Sequence, residues 1–259
     1  MKFSKWSGLG NDFIFPEPGE SVDPLSVPRL CDRRFGIGGD GVILIRPLAG
    51  ADFEMKIYNA DGSEAAMCGN ATRCAAKYIV SRGLGSGTVF HLHTLSGVVS
   101  PELLADGKVR VDMGKPREFL GEIALDTGTR KLRAVTVSMG NPHAVIFTED
   151  ILGVPLETWG PVLEHDRQFP DRCNIEFAQM LAPDKIRMRV WERGCGITLA
   201  CGTGSCATLV AAQLSGRCGT EADIVLDGGT LHVEHSGDGP VFMTGAATEI
   251  FKGEIANGF

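Results

Sequence analysis

Two cysteines, Cys68 and Cys201, occupy the same place in a stretch that the chain contains twice. One copy runs from Met55 to Asn70 and the other from Met188 to Thr203. The copies align without a gap at an offset of 201 − 68 = 133 positions, and in each an alternating apolar pattern is followed by a glycine-bearing loop and then Cys-Gly. This order predicts a strand, a loop and a helix, with a cysteine at the start of each helix.

A thiol in the first turn of a helix is suited to proton transfer. The helix dipole and the unpaired amide N–H groups stabilise a thiolate, so we expect the pKa of each thiol to fall from about 8.5 toward neutrality. The same N–H groups form an anion site that suits a carboxylate, and they belong to Gly69, Asn70, Gly202 and Thr203. The pattern therefore predicts thiol chemistry beside a bound carboxylate.

A second repeat indicates that the chain is an internal duplication. Gly10-Asn11 recurs as Gly140-Asn141 at an offset of 141 − 11 = 130, three positions from the first offset. We expect two similar halves, each giving a Gly-Asn turn and a helix-start cysteine to a shared cleft. One thiolate would remove the proton next to the carboxylate while the opposite thiol delivers a proton to the other face, which inverts a stereocentre without a cofactor.

Other interpretations of these motifs are weaker. The glycines of segment 36–41 have the spacing of a dinucleotide-binding loop, but a strand rather than a helix follows them. The cysteines of segment 195–206 lack the C-x2-C knuckle and the histidines of a structural zinc site. Lys56 is matched by Arg189 in the other copy and precedes the cysteine loop, which argues against a pyridoxal lysine. We therefore predict no metal and no cofactor, and we expect reduced thiols, with core packing favoured over disulfide pairing for Cys31, Cys74, Cys173, Cys206 and Cys218.

The elements that must position these residues follow from the apolar pattern and the turn residues. A strand over 3–15 is interrupted by the glycine turn at 8–12, and residues 164–170 are expected to form a loop. The two central helices are predicted from Gly69 to about Arg82 and from Gly202 to Leu214. The remaining predictions are a helix over 25–32 and strands at 42–45, 88–113, 130–137, 144–147, from 174 onward, and in a closing hairpin.

Composition restricts the class of function. The net charge is −7, and the absence of any basic stripe argues against a nucleic-acid partner. No apolar run approaches the roughly 18 residues of a membrane span, and the start has no secretory h-region. We expect a cytoplasmic protein that acts on a small molecule.

Jointly, the motifs resemble those of the diaminopimelate epimerase family in order along essentially the whole chain. They are Gly8-Leu-Gly-Asn-Asp-Phe13, Asn59-Ala-Asp-Gly-Ser-Glu64, Met67-Cys-Gly-Asn70 with Arg73-Cys74, Gly140-Asn-Pro-His143, Glu192-Arg-Gly194 and Ala200-Cys-Gly-Thr-Gly204. The resemblance implies a cofactor-independent epimerase that interconverts LL- and meso-2,6-diaminopimelate on the route to lysine and peptidoglycan. It also implies an α/β (α+β) fold of two pseudo-symmetric halves, each a curled, mainly antiparallel sheet around a central helix, with the active-site cleft between them and a homodimeric assembly.

The resemblance assigns roles by position. Cys68 and Cys201 would be the acid/base pair, supported by His143 and Glu192, with the reacting carboxylate on the amides of Gly69, Asn70, Gly202 and Thr203. The rest of the substrate would contact Asn11, Asn59, Asn141, Asn174, Glu192 and Arg193. A guanidinium such as that of Arg193 pairs bidentately with a carboxylate. The N-terminal half is expected over 1–115, with the tail 247–259 packing back on it, and the C-terminal half over 116–246.

Three departures from the family pattern leave both cysteines in place. Ala71 stands where the family usually has glycine, Trp6-Ser7 replaces its more common Met-His or Tyr-His, and Gly41 stands where some members have glutamine. Two alternatives remain open: a related racemase of another amino acid, and a non-catalytic module that binds amino acids. Loss of both thiols would abolish an enzyme but not a binding module.

Overall fold

The structure is a computed structural model and describes residues 1–49, 52–117 and 121–256. The chain forms two compact units. The first comprises Met1–Val111 together with Gly245–Phe259, and the second comprises Asp112–Thr244. No helix of the described residues is both long enough and apolar enough to cross a membrane.

Strands dominate both units. Numbered along the chain, they are β1 (Lys2–Gly8), β2 (Asn11–Pro16), β3 (Gly41–Pro47), β4 (Asp52–Asn59), β5 (Glu64–Ala65), β6 (His91–Thr94), β7 (Gly97–Val99), β8 (Glu102–Leu103), β9 (Val109–Asp112), β10 (Glu122–Asp126), β11 (Lys131–Ser138), β12 (Pro142–Phe147), β13 (Asn174–Ala182), β14 (Lys185–Glu192), β15 (Gly196–Ile197), β16 (Glu221–Leu226), β17 (Gly229–His235), β18 (Val241–Gly245) and β19 (Thr248–Glu254). The α-helices are α1 (Val27–Cys31), α2 (Gly69–Ser81), α3 (Leu156–Glu164) and α4 (Gly202–Leu214), and a 3-10 turn at Pro24–Ser26 leads into α1.

The sheet of the first unit has the strand order β19-β1-β2-β3-β4-β6-β7, and β5 pairs with β4. Its pairs are antiparallel except β2 with β3 and β4 with β6. A tight turn joins β1 to β2, and both of its central residues, Leu9 (φ 61°) and Gly10 (φ 87°), are left-handed. Two such residues match the right-handed twist of a two-residue hairpin. The turn lies inside the interruption predicted for the first strand.

The second unit repeats this topology. Its strand order runs β10-β11-β12-β13-β14-β16-β17-β18, β15 pairs with β14, and only β12 with β13 and β14 with β16 are parallel. From β19 to β7 and from β10 to β17, the sequence of antiparallel and parallel pairs is the same. The predicted α+β fold of two similar, mainly antiparallel halves is confirmed.

A buried helix packs against each sheet. In α2 ten of the thirteen residues are buried, from Gly69 to Ile79, and in α4 ten are buried, from Gly202 to Ala212. A helix that is buried on nearly every side must be rich in small and apolar residues. Both helices begin at the residues that the sequence predicted.

Helix α3 was not predicted from the sequence. Pro155 precedes it, Gly160 and Pro161 lie inside it, and all three are poor helix formers. The helix forms because Leu156 and Leu163 are buried in the core of the second unit. Glu164, which was expected to begin a loop, is the last residue of α3.

We expect Gly160→Ala to destabilise the protein. A β-carbon at this position would lie 2.4 Å from Cδ2 of Trp191, which is far inside van der Waals contact. Overpacking of this kind costs about 1–3 kcal/mol of unfolding free energy, which urea denaturation followed by circular dichroism would measure. The control is Gly219→Ala, whose β-carbon has nothing within 4 Å. A G160A variant as stable as the control would contradict the packing of α3 on Trp191.

Candidate active site

The first helix-start thiol, Cys68, lies at the N-cap of α2. Its backbone is extended (φ −146°, ψ 113°), and its carbonyl accepts the N–H of Thr72 at 2.9 Å, the first bond of the helix. The side chain makes no capping hydrogen bond and is half-buried. The N–H groups of the first helical residues, including Gly69 and Asn70, have no acceptor within the helix. The predicted anion site therefore adjoins the thiol.

Asn11 is fixed beside this thiol by its two amide atoms. Its Oδ1 accepts the side-chain N–H of Asn70 at 3.1 Å and lies 3.8 Å from Sγ of Cys68, which donates to it. Its Nδ2 donates to Oδ2 of Asp40 at 2.7 Å. The structure thus brings together three residues that the sequence predicted for the site, Asn11, Cys68 and Asn70. Asp40, which orients the Asn11 amide, was not predicted.

A cluster of charged side chains lies next to Asn11 and the turn that joins β1 to β2. Lys5, only 4% exposed, forms an ion pair of 2.7 Å with Asp12, and Arg33 bonds both Asp12 and Asp40 at 2.6 and 2.7 Å. Burial alone would raise the pKa of Asp12, but the hydrogen bonds from Arg33 and Lys5 outweigh it and lower the pKa to about 2. The cluster therefore stabilises the Asn11 turn as long as Asp12 is ionised.

Arg73 places a buried positive charge beneath the start of α2. Its side chain is fully buried, and its guanidinium donates to Oδ1 of Asn70 at 3.0 Å and to the carbonyl of Ala246 at 3.3 Å. A cation in this position favours an anion at the first turn of the helix. Arg73 is part of a motif noted in the sequence, but only the folded structure shows its guanidinium buried beneath the start of α2.

The second thiol, Cys201, is the N-cap of α4 with an extended backbone (φ −116°, ψ 112°). Its Sγ accepts the N–H of Gly204 at 3.4 Å and lies 3.6 Å from Oγ1 of Thr203. The side chain is buried, and burial, then the charges of Glu192 and Glu176, raise its pKa well above the ordinary value. The expectation of a lowered pKa was wrong for Cys201, because desolvation and two carboxyl groups outweigh the helix terminus.

Glu192, at the end of β14, lies beside Cys201. Oε1 of Glu192 accepts a short hydrogen bond from the hydroxyl of Thr198. Burial, joined by the nearby charge of Glu176, raises the pKa of Glu192. Thr198 was not predicted. The immediate environment of Cys201 is therefore acidic and poorly solvated, which favours the protonated thiol.

His143 and Asn141 connect to this thiol through Thr203. Nδ1 of His143 is 2.7 Å from Oε1 of Glu176, and its Nε2 is 3.1 Å from Oδ1 of Asn141. The Nδ2 of Asn141 donates to Oγ1 of Thr203 at 3.5 Å. Glu176 was not predicted from the sequence. Its place between the apolar residues Ile175 and Phe177 of a strand could have indicated a functional role, because a buried carboxyl group needs a partner.

Asn174, Arg193 and Asn59 bond mainly to neighbouring protein groups. Asn174 joins two segments, since its Nδ2 donates to the carbonyl of Pro142 at 2.9 Å and its Oδ1 accepts the N–H of Arg193 at 3.0 Å. The guanidinium of Arg193 donates to the carbonyl of Asp171 at 3.0 Å. Asn59 is exposed, and its Nδ2 donates to Oγ of Ser63 at 3.0 Å.

The three departures from the family pattern lie in tightly packed places. Trp6 is 2% exposed and donates to Oγ of Ser4 at 3.0 Å, while Ala71 is fully buried in the first turn of α2. A β-carbon on Gly41 would lie 2.3 Å from the carbonyl oxygen of Tyr58. A glutamine at position 41 would require this backbone to move.

One group of side chains in the described part of the chain has a geometry that could ligate a metal ion. It consists of Glu221, His232 and Glu234 on the hairpin β16–β17. His232 already pairs with Asp223 at 2.9 Å. The group contains no thiol and none of the residues predicted for the site.

Comparison with known proteins identifies relatives along the whole chain. The sequence model described as "Diaminopimelate epimerase" matches residues 3–119 and 135–250. Curated proteins named diaminopimelate epimerase are 46% identical in Synechococcus elongatus and 47% identical in Pelotomaculum thermopropionicum, each alignment covering 98% of both chains. Among solved structures, a probable proline racemase from Agrobacterium radiobacter is similar at a TM-score of 0.72 and 18% identity, over 99% of this chain and 93% of the other. This last similarity concerns the fold alone.

We expect the stability that Asp12 provides to be lost in acid. Its pKa is lowered from 3.8 to about 2 by folding, so its contribution is complete above about pH 4 and disappears as the pH falls through 2. A shift of this size is worth on the order of 2 kcal/mol. Urea unfolding measured from pH 7 to pH 2.5 would show that the difference in unfolding free energy between wild type and Asp12→Asn becomes smaller below pH 4. Asp184→Asn, at an exposed position, serves as the control. A difference in unfolding free energy that does not depend on pH would contradict the lowered pKa of Asp12.

Proposed function

Because the chain belongs to the diaminopimelate epimerase family, we propose that it interconverts LL- and meso-2,6-diaminopimelate, a step in supplying lysine and peptidoglycan precursors. The observation that carries this proposal is the identity of 46% with a curated diaminopimelate epimerase across 98% of both chains. The helix-start cysteine of each compact unit supports it further, since such a thiol can exchange a proton beside a carboxylate held by amides.

We propose that the two thiols are the acid and the base of the reaction. In one direction the Cys68 thiolate would take the proton from the α carbon, and the Cys201 thiol would give its S–H proton to the opposite face of that carbon. One C–H bond breaks and another forms, and the negative charge passes from Cys68 to Cys201 without net change. The raised pKa of Cys201 supports its role as the proton donor, because the thiol retains its proton at neutral pH. The reverse reaction exchanges the two roles.

The carbanion that develops at the α carbon needs electrostatic stabilisation. We propose that the reacting carboxylate accepts hydrogen bonds from the amides of Gly69, Asn70, Gly202 and Thr203. Amide donors aimed at the place where negative charge develops are worth about 3–4 kcal/mol each in other enzymes. Residues of this chain therefore supply the base, the acid and the anion site, and the proposal includes no metal and no cofactor.

The remaining polar residues would hold the rest of the substrate. Glu192 offers a counter-charge for an ammonium group, and Arg193 offers a guanidinium for the distal carboxylate. Asn11, Asn59 and Asn141 would donate and accept hydrogen bonds around the α-amino and distal groups. Asn174 would act through the backbone of Arg193, which it already holds. His143 would support the thiol chemistry through Asn141.

The decisive experiment is proton NMR of LL-diaminopimelate in heavy water with wild type, Cys68→Ala and Cys201→Ala, without pyridoxal phosphate. We expect wild type to introduce deuterium at the α position as the meso isomer forms, and each alanine variant to be slower by at least about 10²-fold, since each lacks its acid or base. The exposed Cys195→Ser is the matched control and should behave as wild type.

Two outcomes would contradict the proposal. Substrate binding without exchange by folded, reduced wild type would indicate an amino-acid-binding module. Exchange of another amino acid, with none of diaminopimelate, would indicate a related racemase.

We also propose that the protein works in the cytoplasm as a homodimer. Strand β19 is the last strand on one side of the first unit's sheet, and it carries Ile250 and Phe251, which are 53% and 47% exposed. An apolar edge strand is a surface that a second copy can cover. Light scattering after size exclusion should give about 2 × 27.6 kDa for wild type. It should give the monomer mass for Ile250→Glu, and a wild-type monomer at micromolar concentration would contradict this proposal.

A further inference from the structure

One buried carboxylate holds the tight turn that carries Arg193. Glu164, the last residue of α3, is only 4% exposed. Its Oε2 accepts the indole N–H of Trp191 at 2.7 Å, and its Oε1 accepts the backbone N–H of Gly194 at 2.9 Å. These two bonds hold the chain on either side of Glu192 and Arg193.

Both of these donors require an acceptor. An indole N–H and a backbone N–H can only donate, whereas the two oxygens of a carboxylate can only accept. Glu164→Gln would therefore leave one accepting oxygen and turn an NH2 group toward the other donor. The half-exposed Arg172 adds a longer bond to Oε1 at 3.3 Å. Burial alone would raise the pKa of Glu164, but the bonds from Trp191 and Gly194 outweigh burial, and the pKa is lowered.

Arg193 is the second residue of the turn. The N–H of Cys195 donates to the carbonyl of Glu192 at 3.0 Å, which closes four residues into a turn. Its third residue, Gly194, has φ 76°, and a left-handed glycine at this place is typical of a type II turn. The bond that holds the Gly194 N–H therefore acts on the peptide group that follows Arg193.

The segment that connects α3 to β13 holds Arg193 at its backbone and at its side chain. Oδ1 of Asn174 accepts the N–H of Arg193 at 3.0 Å, and the carbonyl of Asp171 accepts a guanidinium N–H at 3.0 Å. The N–H of Cys173 donates to the carbonyl of Glu164 at 3.1 Å, so the two ends of the segment lie together. The backbone of Glu164 thus closes the segment while its carboxylate holds the turn.

Glu192 has supports of its own. Its backbone pairs with that of Gly196 in β15, and its Oε1 accepts the short hydrogen bond from the hydroxyl of Thr198. Neither support involves Glu164. Loss of the Glu164 carboxylate should therefore loosen Arg193 more than Glu192.

We propose that Glu164 is a positioning residue that sets the affinity for the distal carboxylate of the substrate, because its own carboxylate keeps the turn in the shape in which the Arg193 guanidinium can pair with that group. A guanidinium has five N–H donors and pairs bidentately with a carboxylate. Glu164 acts through the hydrogen bonds of the turn. The inference rests on the proposed function, since it assumes that Arg193 meets the distal carboxylate of diaminopimelate.

The first experiment compares the steady-state kinetics of wild type and Glu164→Gln with LL-diaminopimelate. We expect KM to rise about tenfold or more, the effect of losing one hydrogen bond to a charged group. We expect kcat to stay within about threefold, because a binding interaction that is equal in the ground state and the transition state affects KM alone. A wild-type KM in folded E164Q would overturn the proposal, as would a fall in kcat with KM unchanged.

The second experiment tests whether Glu164 acts through Arg193. In an Arg193→Ala background, E164Q should raise KM by less than about twofold, because the side chain that it positions is gone and the effects of coupled residues are not additive. Additive effects of the two substitutions on KM would overturn the proposal.

Glu17 provides a matched control in the first compact unit. Its two oxygens also accept one bond each from fixed donors, Nε and Nη2 of Arg82, at 2.7 and 2.8 Å. Glu17→Gln removes a carboxylate of the same kind that does not hold the turn of Arg193. It should leave KM and kcat as in wild type, and a rise in KM equal to that of E164Q would overturn the proposal.

A measurement without substrate tests the two hydrogen bonds directly. Hydrogen–deuterium exchange followed by NMR reports the Gly194 amide and the Trp191 indole separately. In wild type both hydrogens should exchange slowly, and rapid exchange of either would overturn the proposal without any variant. E164Q should speed the exchange of the Gly194 N–H by at least about tenfold, since a local opening becomes easier when a bond that opposes it is lost. E17Q should leave that rate unchanged.

The failure of this inference is distinguishable from the failure of the proposed function. A folded wild type that introduces no deuterium at the α position of diaminopimelate would overturn both. An active wild type together with an E164Q variant of unchanged KM would overturn the role of Glu164 alone.

Discussion

The structure depends on the start of one buried helix in each compact unit. Helices α2 and α4 have few exposed residues, so the backbone N–H groups of their first turns must be satisfied by side chains or by a ligand. In both helices the residue before the first turn is an extended cysteine, Cys68 or Cys201.

The two units have the same topology but different electrostatics. Cys68 is half-buried near the guanidinium of Arg73, which bonds the Asn70 side chain. Cys201 is buried among Glu192 and Glu176, and its pKa rises accordingly. Duplication therefore supplied one backbone arrangement twice, and substitutions around it gave one thiol a cationic neighbour and the other two acidic neighbours. A reaction that needs a base and an acid at the same moment benefits from that asymmetry.

Glycines make room for polar groups at both helix starts. A β-carbon on Gly8 would lie 2.9 Å from the carbonyl oxygen of Asn70, and one on Gly204 would lie 2.7 Å from the Glu176 carboxyl group. The strand that carries Gly8 and the strand that carries Glu176 can thus approach their helices closely. Close packing of this kind leaves little free volume, so small changes near either helix are expected to be felt at the thiols.

The sequence by itself determined the duplicated α+β fold, the starts of both central helices and the positions of the two cysteines, because apolar periodicity and glycine placement are local properties of the chain. The second repeat also predicted that each half contributes a Gly-Asn turn, at Asn11 and at Asn141, together with its helix-start cysteine. It did not find helix α3, whose glycine and prolines oppose a helix that only core packing stabilises. Nor did it predict the environment of Cys201, whose pKa is raised although a lowered pKa was expected. That reversal was decided first by burial and then by the charges of Glu192 and Glu176, since the energy of a charge depends on how much water the fold excludes and on which residues it brings near.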